Sequence, residues 1–477
     1  MEDDMRSQII FSLGVLVISI LMQGCGGSGP TIPDQPKDNF FKTWGGPGMA
    51  YAYAIDSSES GDVFVLGSAT LLLQGSTVSL TPGNVLYSES SPSSLDYLTR
   101  FDRAGNVVST LTWSSDEGYF LPADLAVDDD GNYYIAGRFY RKVDFDPMAT
   151  ARYIEADEYS FFLLKLNPGG FLKWVRVWGQ GTSGGNMVFV DVNKSGRIWV
   201  AGEYENDIDF TPSEDFSDRN GSGGITGFRN TDEKHDGQQL MPDYEDLFIM
   251  QFSPDGTMQW VRTLGTSNPE TISDIEIADN GAAYFCGAFY YTVDFDPGPG
   301  VAELISDGNR NGFLCGYDVS GEYLWARSVG GYYSGLGGLA IDNSGDINLG
   351  GFFMQTVDFD PGPGEDIHST DDPLSYDYAC FLSKYSPDGG YQWTRTWGGL
   401  DADSQVTGVE AGPDNSVWVI GSFRNTVDFD PGPGTNEHSA GINYYSGSTF
   451  VSRFDIDGNF SDVVVWQEDN WDWCYGL

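Results

Sequence analysis

The sequence predicts an all-β chain folded as a six-bladed β-propeller with four antiparallel strands per blade. A seven-bladed ring, or a five-stranded blade at the seam, are the variants it leaves open. Three observations carry this. The phrase Val-Asp-Phe-Asp-Pro-Gly-Pro-Gly stands intact three times, beginning at Val293, Val357 and Val427, with a shortened copy at Val143-Asp144-Phe145-Asp146-Pro147 and a worn one at Ile208-Asp209-Phe210-Thr211-Pro212. A glycine precedes every copy by six residues (Gly137, Gly202, Gly287, Gly351, Gly421), and Gly67 fills that slot in a first unit lacking the phrase; successive spacings are 70, 65, 85, 64 and 70 residues. Between the phrases lie short apolar runs joined by Asp-Gly and Ser-Gly turns, which are hairpin signals. No unit holds an amphipathic helix.

A four-stranded sheet cannot bury both faces alone, so it must stack on its neighbours, and a ring of such sheets leaves no long exposed edge. Tandem sandwich domains fit less well, because most units are too short and no Pro- or Ser-rich linkers separate them. In the fifth unit the runs 336–341, 347–353, 378–385 and 391–397 read as the four strands. Asp342-Asn343-Ser344-Gly345 and Ser386-Pro387-Asp388-Gly389 turn the outer pairs.

From the start of the chain, residues 1–24 read as a signal peptide, with an apolar core too short to span a membrane. It ends in Leu21-Met22-Gln23-Gly24-Cys25, which resembles a bacterial lipobox and makes Cys25 the expected lipidation site. Residues 25–37, rich in Gly, Pro and Ser, read as a flexible tether, and 38–477 as the propeller. Phe40-Phe41-Lys42-Thr43-Trp44 matches a fourth strand without its preceding three. It is expected either to complete the last blade or to leave that blade with five strands, since residues 459–466 also read as its fourth strand. The third unit carries a polar, Gly-rich insertion at 213–243, which reads either as the place for individual specificity or as a disordered loop, the outcome its composition favours.

Fourth strands repeat Trp-x-Arg at Trp174 and Arg176, Trp260 and Arg262, Trp325 and Arg327, and Trp393 and Arg395. Residues two apart on a strand share a face. The Trp is expected to pack between blades and the Arg to pair a carboxylate. With 40% hydrophobic and 14% aromatic residues the chain can bury a large core, and its net charge of −46 excludes the basic surface that nucleic acid demands. That charge suits divalent cations, a cationic partner or plain solvation.

The order Phe381-Leu382-Ser383-Lys384-Tyr385, Asp388-Gly389, Trp393, Trp397-Gly398-Gly399, Gly421 and Val427-Asp428-Phe429-Asp430-Pro431 resembles the bacterial β-propeller repeat family called SBBP, over nearly all of the chain beyond residue 40. The resemblance implies a propeller fold and an exported protein at the bacterial cell envelope; with the lipobox-like Cys25 the expected place is lipid-anchored (outer membrane or surface), otherwise periplasmic or secreted. It brings no catalytic residues.

The aspartate pairs Asp144 and Asp146, Asp294 and Asp296, Asp358 and Asp360, and Asp428 and Asp430 flank a Phe, so both carboxylates of a pair point one way and repel. Two readings stay open: a calcium ion per intact blade, held with loop carbonyls, or carboxylates that cap turns and pair with the Trp-x-Arg arginines. Asp128-Asp129-Asp130-Gly131-Asn132 lacks the distal Glu of a calcium loop and reads as a hairpin turn. Cys286 and Cys315 fall on neighbouring strands, as a disulfide or as small core side chains. His368 and His438 hold equivalent repeat positions. No transition-metal set and no nucleophile–base set is visible, so an enzyme is not expected. The expected function is a binding or scaffolding module for a protein or glycan ligand, monomeric and tethered to the membrane through its lipid. A quinone-dependent propeller enzyme and a cation-stiffened structural or adhesion element are the alternatives.

Overall fold

The computed structural model describes residues 7–12, 15–17, 40–44 and 48–466, the last span without 59, 72–93, 114–116, 149–150, 180–186, 206–207, 214–244, 267, 307–309, 371–376, 401, 413 and 441–447. Every regular element among the described residues is a strand. Six four-stranded sheets follow one another along the chain, each antiparallel with strands in sequence order. Blade 1 comprises Gly48–Ser57, Val63–Leu71, Ser94–Phe101 and Val107–Trp113; blade 2 comprises Gly118–Val127, Tyr133–Asp144, Tyr153–Leu166 and Leu172–Trp178. Blade 3 has Val188–Val192, Ile198–Tyr204, Asp246–Phe252 and Met258–Leu264; blade 4 has Thr271–Ile277, Ala283–Phe289, Asn311–Tyr317 and Tyr323–Val329. Blade 5 has Ser334–Ile341, Ile347–Phe353, Ala379–Tyr385 and Tyr391–Trp397; blade 6 has Ser404–Ala411, Val417–Phe423, Ser448–Phe454 and Phe460–Trp466.

First strands of successive blades pack on one another and so line the axis. At the seam, Glu410 of blade 6 acts electrostatically on Asp56 of blade 1, so both first strands face the same lumen. Blade 6 is completed by its own fourth strand. Phe40–Trp44 instead pairs with Ser7–Ser12, which also pairs with Val15–Val17 in a separate small sheet. The expected strand exchange at the seam is therefore corrected: with 460–466 already filling the outer edge, 40–44 finds its backbone partner within the N-terminal segment.

The repeated phrase lies between second and third strands. In blades 4, 5 and 6 it opens a two-stranded hairpin, such as Thr356–Asp358 with Ile367–Ser369. In blade 2 the main strands run on unbroken into it. A non-glycine residue of positive φ marks the bend at the same place each time: Arg141, Tyr291, Gln355 and Asn425, at 57 to 63°.

Why the phrase needs its phenylalanine is plain from the packing. Phe359 is buried, meets Phe353 of the second strand edge-on at 5.3 Å, and leans on Phe381 of the third at 4.9 Å. The same trio recurs as Phe289, Phe295 and Phe313, and as Phe423, Phe429 and Phe450. Aromatic pairs of this geometry add about 0.5–1.5 kcal/mol each beyond their burial. The upstream glycine makes room for the third ring: a Cβ on Gly351 would stand 2.8 Å from the Phe381 ring and 2.2 Å from the Gly335 carbonyl.

Gly351→Ala should therefore destabilise the protein by about 1–3 kcal/mol, the usual cost of overpacking. A urea unfolding midpoint unchanged from wild type would contradict this packing role.

Candidate functional site

The aspartate pairs act locally as turn clamps. Asp358 Oδ1 accepts from the backbone N–H of Asp360 (3.1 Å) and of Asp366 (2.8 Å), while Asp360 Oδ1 accepts from Gly362 N–H at 2.7 Å. Asp294 and Asp296, Asp428 and Asp430, and Asp144 and Asp146 repeat the arrangement. Backbone donors thus offset the repulsion within each pair. Asp128 likewise caps its hairpin turn, accepting from Asn132 N–H at 2.8 Å.

Each Trp-x-Arg grips the next blade. Trp325 lies over Gly389 and donates from Nε1 to the Pro387 carbonyl (2.9 Å), and Arg327 Nε donates to the Gly389 carbonyl at 2.9 Å. Arg176 and Arg395 bind the carbonyls of Gly256 and Gly458 in the same way. The expected arginine–carboxylate pairing is corrected here. The turn between third and fourth strands presents carbonyls at that spot; among the described residues Arg262 also reaches a carboxylate, Glu322 at 3.4 Å.

Cys286 and Cys315 are free and buried. Cys286 sits opposite Leu314 and Cys315 opposite Phe285, one register step apart, so their side chains enter different core layers. The disulfide alternative is thereby corrected, since neighbouring strands cannot bridge opposite faces. His368 and His438 stand edge-on to Phe359 and Phe429 and bond to Asp366 and Asn436. Among the described residues no group of three or more His, Cys, Asp or Glu is arranged to hold a metal ion. Cys25, Cys474, His235, the tether and residues 214–243 of the insertion lie outside the described residues.

The axis carries chemistry that repeat reading missed. Bulges in the first strands of blades 1, 2, 4, 5 and 6 turn alternate side chains inward, giving two tiers. Asp124 and Asp274 occupy the tier just past the bulge. Asp56, Asp191, Glu276 and Glu410 occupy the tier two residues on. Four of the six fasten one blade to the next: Asp56 Oδ2 accepts from Val127 N–H (2.6 Å), Asp124 from Val190 N–H (2.8 Å), Asp191 from Ile277 N–H (2.7 Å) and Asp274 from Leu339 N–H (2.9 Å). In blades 5 and 6 Gly338 and Gly408 replace the carboxylate of the first tier. A Cβ on Gly338 would stand 3.0 Å from the Gly408 Cα, so backbone approach substitutes there for a side-chain link.

The six carboxyls keep some exposure to the lumen, yet protein surrounds each on every side. Burial pushes Asp191 up to about 6, Asp124 and Glu410 to about 7 and Asp274 to about 8, and raises Asp56 and Glu276 well above the usual carboxylate range. Repulsion adds to this, with Asp191 acting on all five others. Backbone donors pull five of them partly back down, and Glu276 has none. A signal existed in the sequence: an acidic residue two before the first turn in four of the six blades, at Asp56, Asp191, Glu276 and Glu410.

No known protein-family profile matches the chain. An uncharacterized WD repeat-containing protein of Acanthamoeba polyphaga mimivirus is 23% identical over 237 residues, covering 45% of this chain and 16% of that protein's length. The chain thus spans a small part of that relative. A crystal structure described as the eukaryotic initiation factor covers 100% of this chain and 98% of its own at 10% identity, with a TM-score of 0.34.

A carboxyl whose pKa rises on folding contributes stability that is whole below its unfolded value near 4 and is lost as pH climbs through the folded value. The thermal midpoint should fall between about pH 5 and pH 8, the window of the folded values of about 6 to 8. Asp274→Asn should flatten that slope, by on the order of 1 kcal/mol after screening. A midpoint that climbs across this window would contradict the axial assignment.

Proposed function

We propose that this β-propeller is a bacterial envelope protein of the SBBP type, anchored through a lipid on Cys25, that serves as a binding or scaffolding module and receives a cationic group of its partner at the axis. The observation that carries the binding half is the axial set Asp56, Asp124, Asp191, Asp274, Glu276 and Glu410, whose strongest charged neighbours are one another. A lysine or arginine side chain entering there relieves repulsion that folding has already built in, and fixed acceptors need no reorganisation to receive it. The ring is suited to the task because its strands are mutually braced and the carboxylates are held on strands rather than on loops. Support for the envelope half lies in the lipobox-like Leu21-Met22-Gln23-Gly24-Cys25 and the Gly/Pro/Ser-rich stretch after it. A tethered ring of high negative charge would attract cationic partners from a distance, in a salt-dependent way.

Titration of a short arginine-bearing peptide should show binding that weakens with salt and drops about tenfold in Glu276→Gln. Equal affinity of wild type and Glu276→Gln would exclude the axis as the site. Expressed with its leader in a bacterium, the chain should incorporate labelled fatty acid and sediment with membranes, and Cys25→Ser should do neither. A labelled or sedimenting Cys25→Ser protein would refute the anchor.

A further inference from the structure

Away from the axis, four hydrogen-bonded side chains run across blade 5 from its fourth strand to its short hairpin. They lie beside a cleft of about 570 Å³ between the hairpins of blades 5 and 6. We propose that they form a hydrolytic centre for small carboxylic esters, with Thr396 as nucleophile, His368 as general base and Asp366 as the positioning residue behind the imidazole.

His368 sits between the other two. Its Nδ1 lies 2.8 Å from Thr396 Oγ1 and its Nε2 3.2 Å from Asp366 Oδ1, while the Tyr391 hydroxyl donates to Asp366 Oδ2. Chemistry assigns every proton in this chain. Burial and the hydrogen bond to Asp366 hold the Tyr391 phenol well above its ordinary range, so it stays a donor. An ionised carboxylate only accepts, so Nε2 carries the imidazole proton and Nδ1 accepts from the Thr396 hydroxyl. The order is therefore nucleophile, base and orienting carboxylate, the arrangement that activates an alcohol. Sequence spacing hides it: Thr396 stands 28 residues beyond His368, and only the fold brings them together.

Packing alone asks for less. In blade 6, His438 meets Phe429 edge-on as His368 meets Phe359, yet Asn436 stands for Asp366 and Val465 for Thr396. Blade 4 has Ala302 and Leu304 at the acid and base positions. Among the described residues the full set belongs to blade 5 alone.

A substrate can reach it. Thr396 is partly exposed and lines the cleft, and His368 keeps 22% of its side chain exposed. Thr396 also lies on the outer edge strand of its sheet. At the same register in blade 2, Val177 turns its N–H outward to the Ser213 carbonyl at 2.9 Å. The Thr396 N–H thus faces outward too and offers one donor to an oxyanion. One donor suits an ester, whose alcohol leaves readily, better than an amide. Asp428, Asp430 and Glu437 also line the cleft and disfavour anionic esters.

In the first step Thr396 Oγ1 bonds to the ester carbonyl carbon while its proton passes to His368 Nδ1. The bond from that carbon to the alcohol oxygen then breaks, and the alcohol leaves with the proton, giving an acyl-threonine. Water attacks in turn and gives its proton to Nδ1. The acid departs as Thr396 recovers that proton, so one ester and one water yield one acid and one alcohol.

Hydrolysis of p-nitrophenyl acetate by the full chain tests the assignment, together with labelling by a fluorophosphonate, which captures activated hydroxyls. Wild type should turn the ester over, and the label should map to Thr396. Val465 shows that a fourth strand accepts valine at this position, so Thr396→Val should keep the fold and its unfolding midpoint. Thr396→Val and His368→Gln should each lower kcat/KM at least about hundredfold, and His438→Gln should leave it unchanged. Asp366→Asn should lower kcat about tenfold or more with KM unchanged, because it favours the wrong tautomer without altering the cleft. Turnover no faster than that of free imidazole, activity retained in Thr396→Val, a label on another residue, or equal losses in His368→Gln and His438→Gln would each overturn the proposal.

Discussion

An edge-on phenylalanine packed over a glycine sets the geometry of blades 2 to 6. Phe359 between Phe353 and Phe381, with Gly351 beneath the third ring, ties the connecting hairpin to the sheet and fixes how far second and third strands can slide. Register follows, because a one-residue slip would turn the whole apolar set to the wrong face. Once blades 2 to 5 hold that register, the outer Trp-x-Arg of each meets the next blade's turn and its inner strand meets the next blade's inner strand. Rim clamp and hub clamp therefore depend on the same trio, although neither touches it.

Two kinds of link hold neighbouring blades, and they answer to different conditions. At the rim, Trp325 and Arg327 bind carbonyls of blade 5, a contact with no titrating partner. At the hub, carboxylates such as Asp191 bind backbone N–H groups of the following blade while repelling their counterparts across the lumen. Under the proposed function, proximity that would be a fault in a purely structural hub makes a receptive surface. On that reading, a positive group arriving at the axis would release the energy spent holding like charges together, as expected of a preorganised site.

Much of the architecture was legible in the chain. The phrase and its glycine gave the number of blades; the second and fourth strands of blade 5 were read at 347–353 and 391–397, and both end there in the structure. Trp174, Trp260, Trp325 and Trp393 were correctly expected between blades, and His368 and His438 as repeat packing. Two features could not be read. The partners of Arg176, Arg327 and Arg395 are backbone carbonyls, which leave no trace in side-chain spacing. The axial carboxylates come from first strands whose bulges shift alternation by one residue, so Asp124 and Asp274 stand in a tier that period-two reading scatters. Seeing the axis required a ring, because the six residues meet only when separate units are wrapped about one centre. Pairing of 40–44 with 7–12 was equally hidden, since a strand's edge partner is a tertiary choice.

The claim on which the functional reading rests is that the axial carboxyls remain partly protonated near neutrality because the ring encloses them. The infrared C=O band of protonated carboxylic acids, followed from about pH 5 to about pH 8, reports this directly. The account predicts a band that persists near pH 6 to 7, fades toward pH 8, and shrinks when Asp124, Asp274, Glu276 and Glu410 are made amides. A band already gone by about pH 5, or one unaffected by those four substitutions, would contradict it.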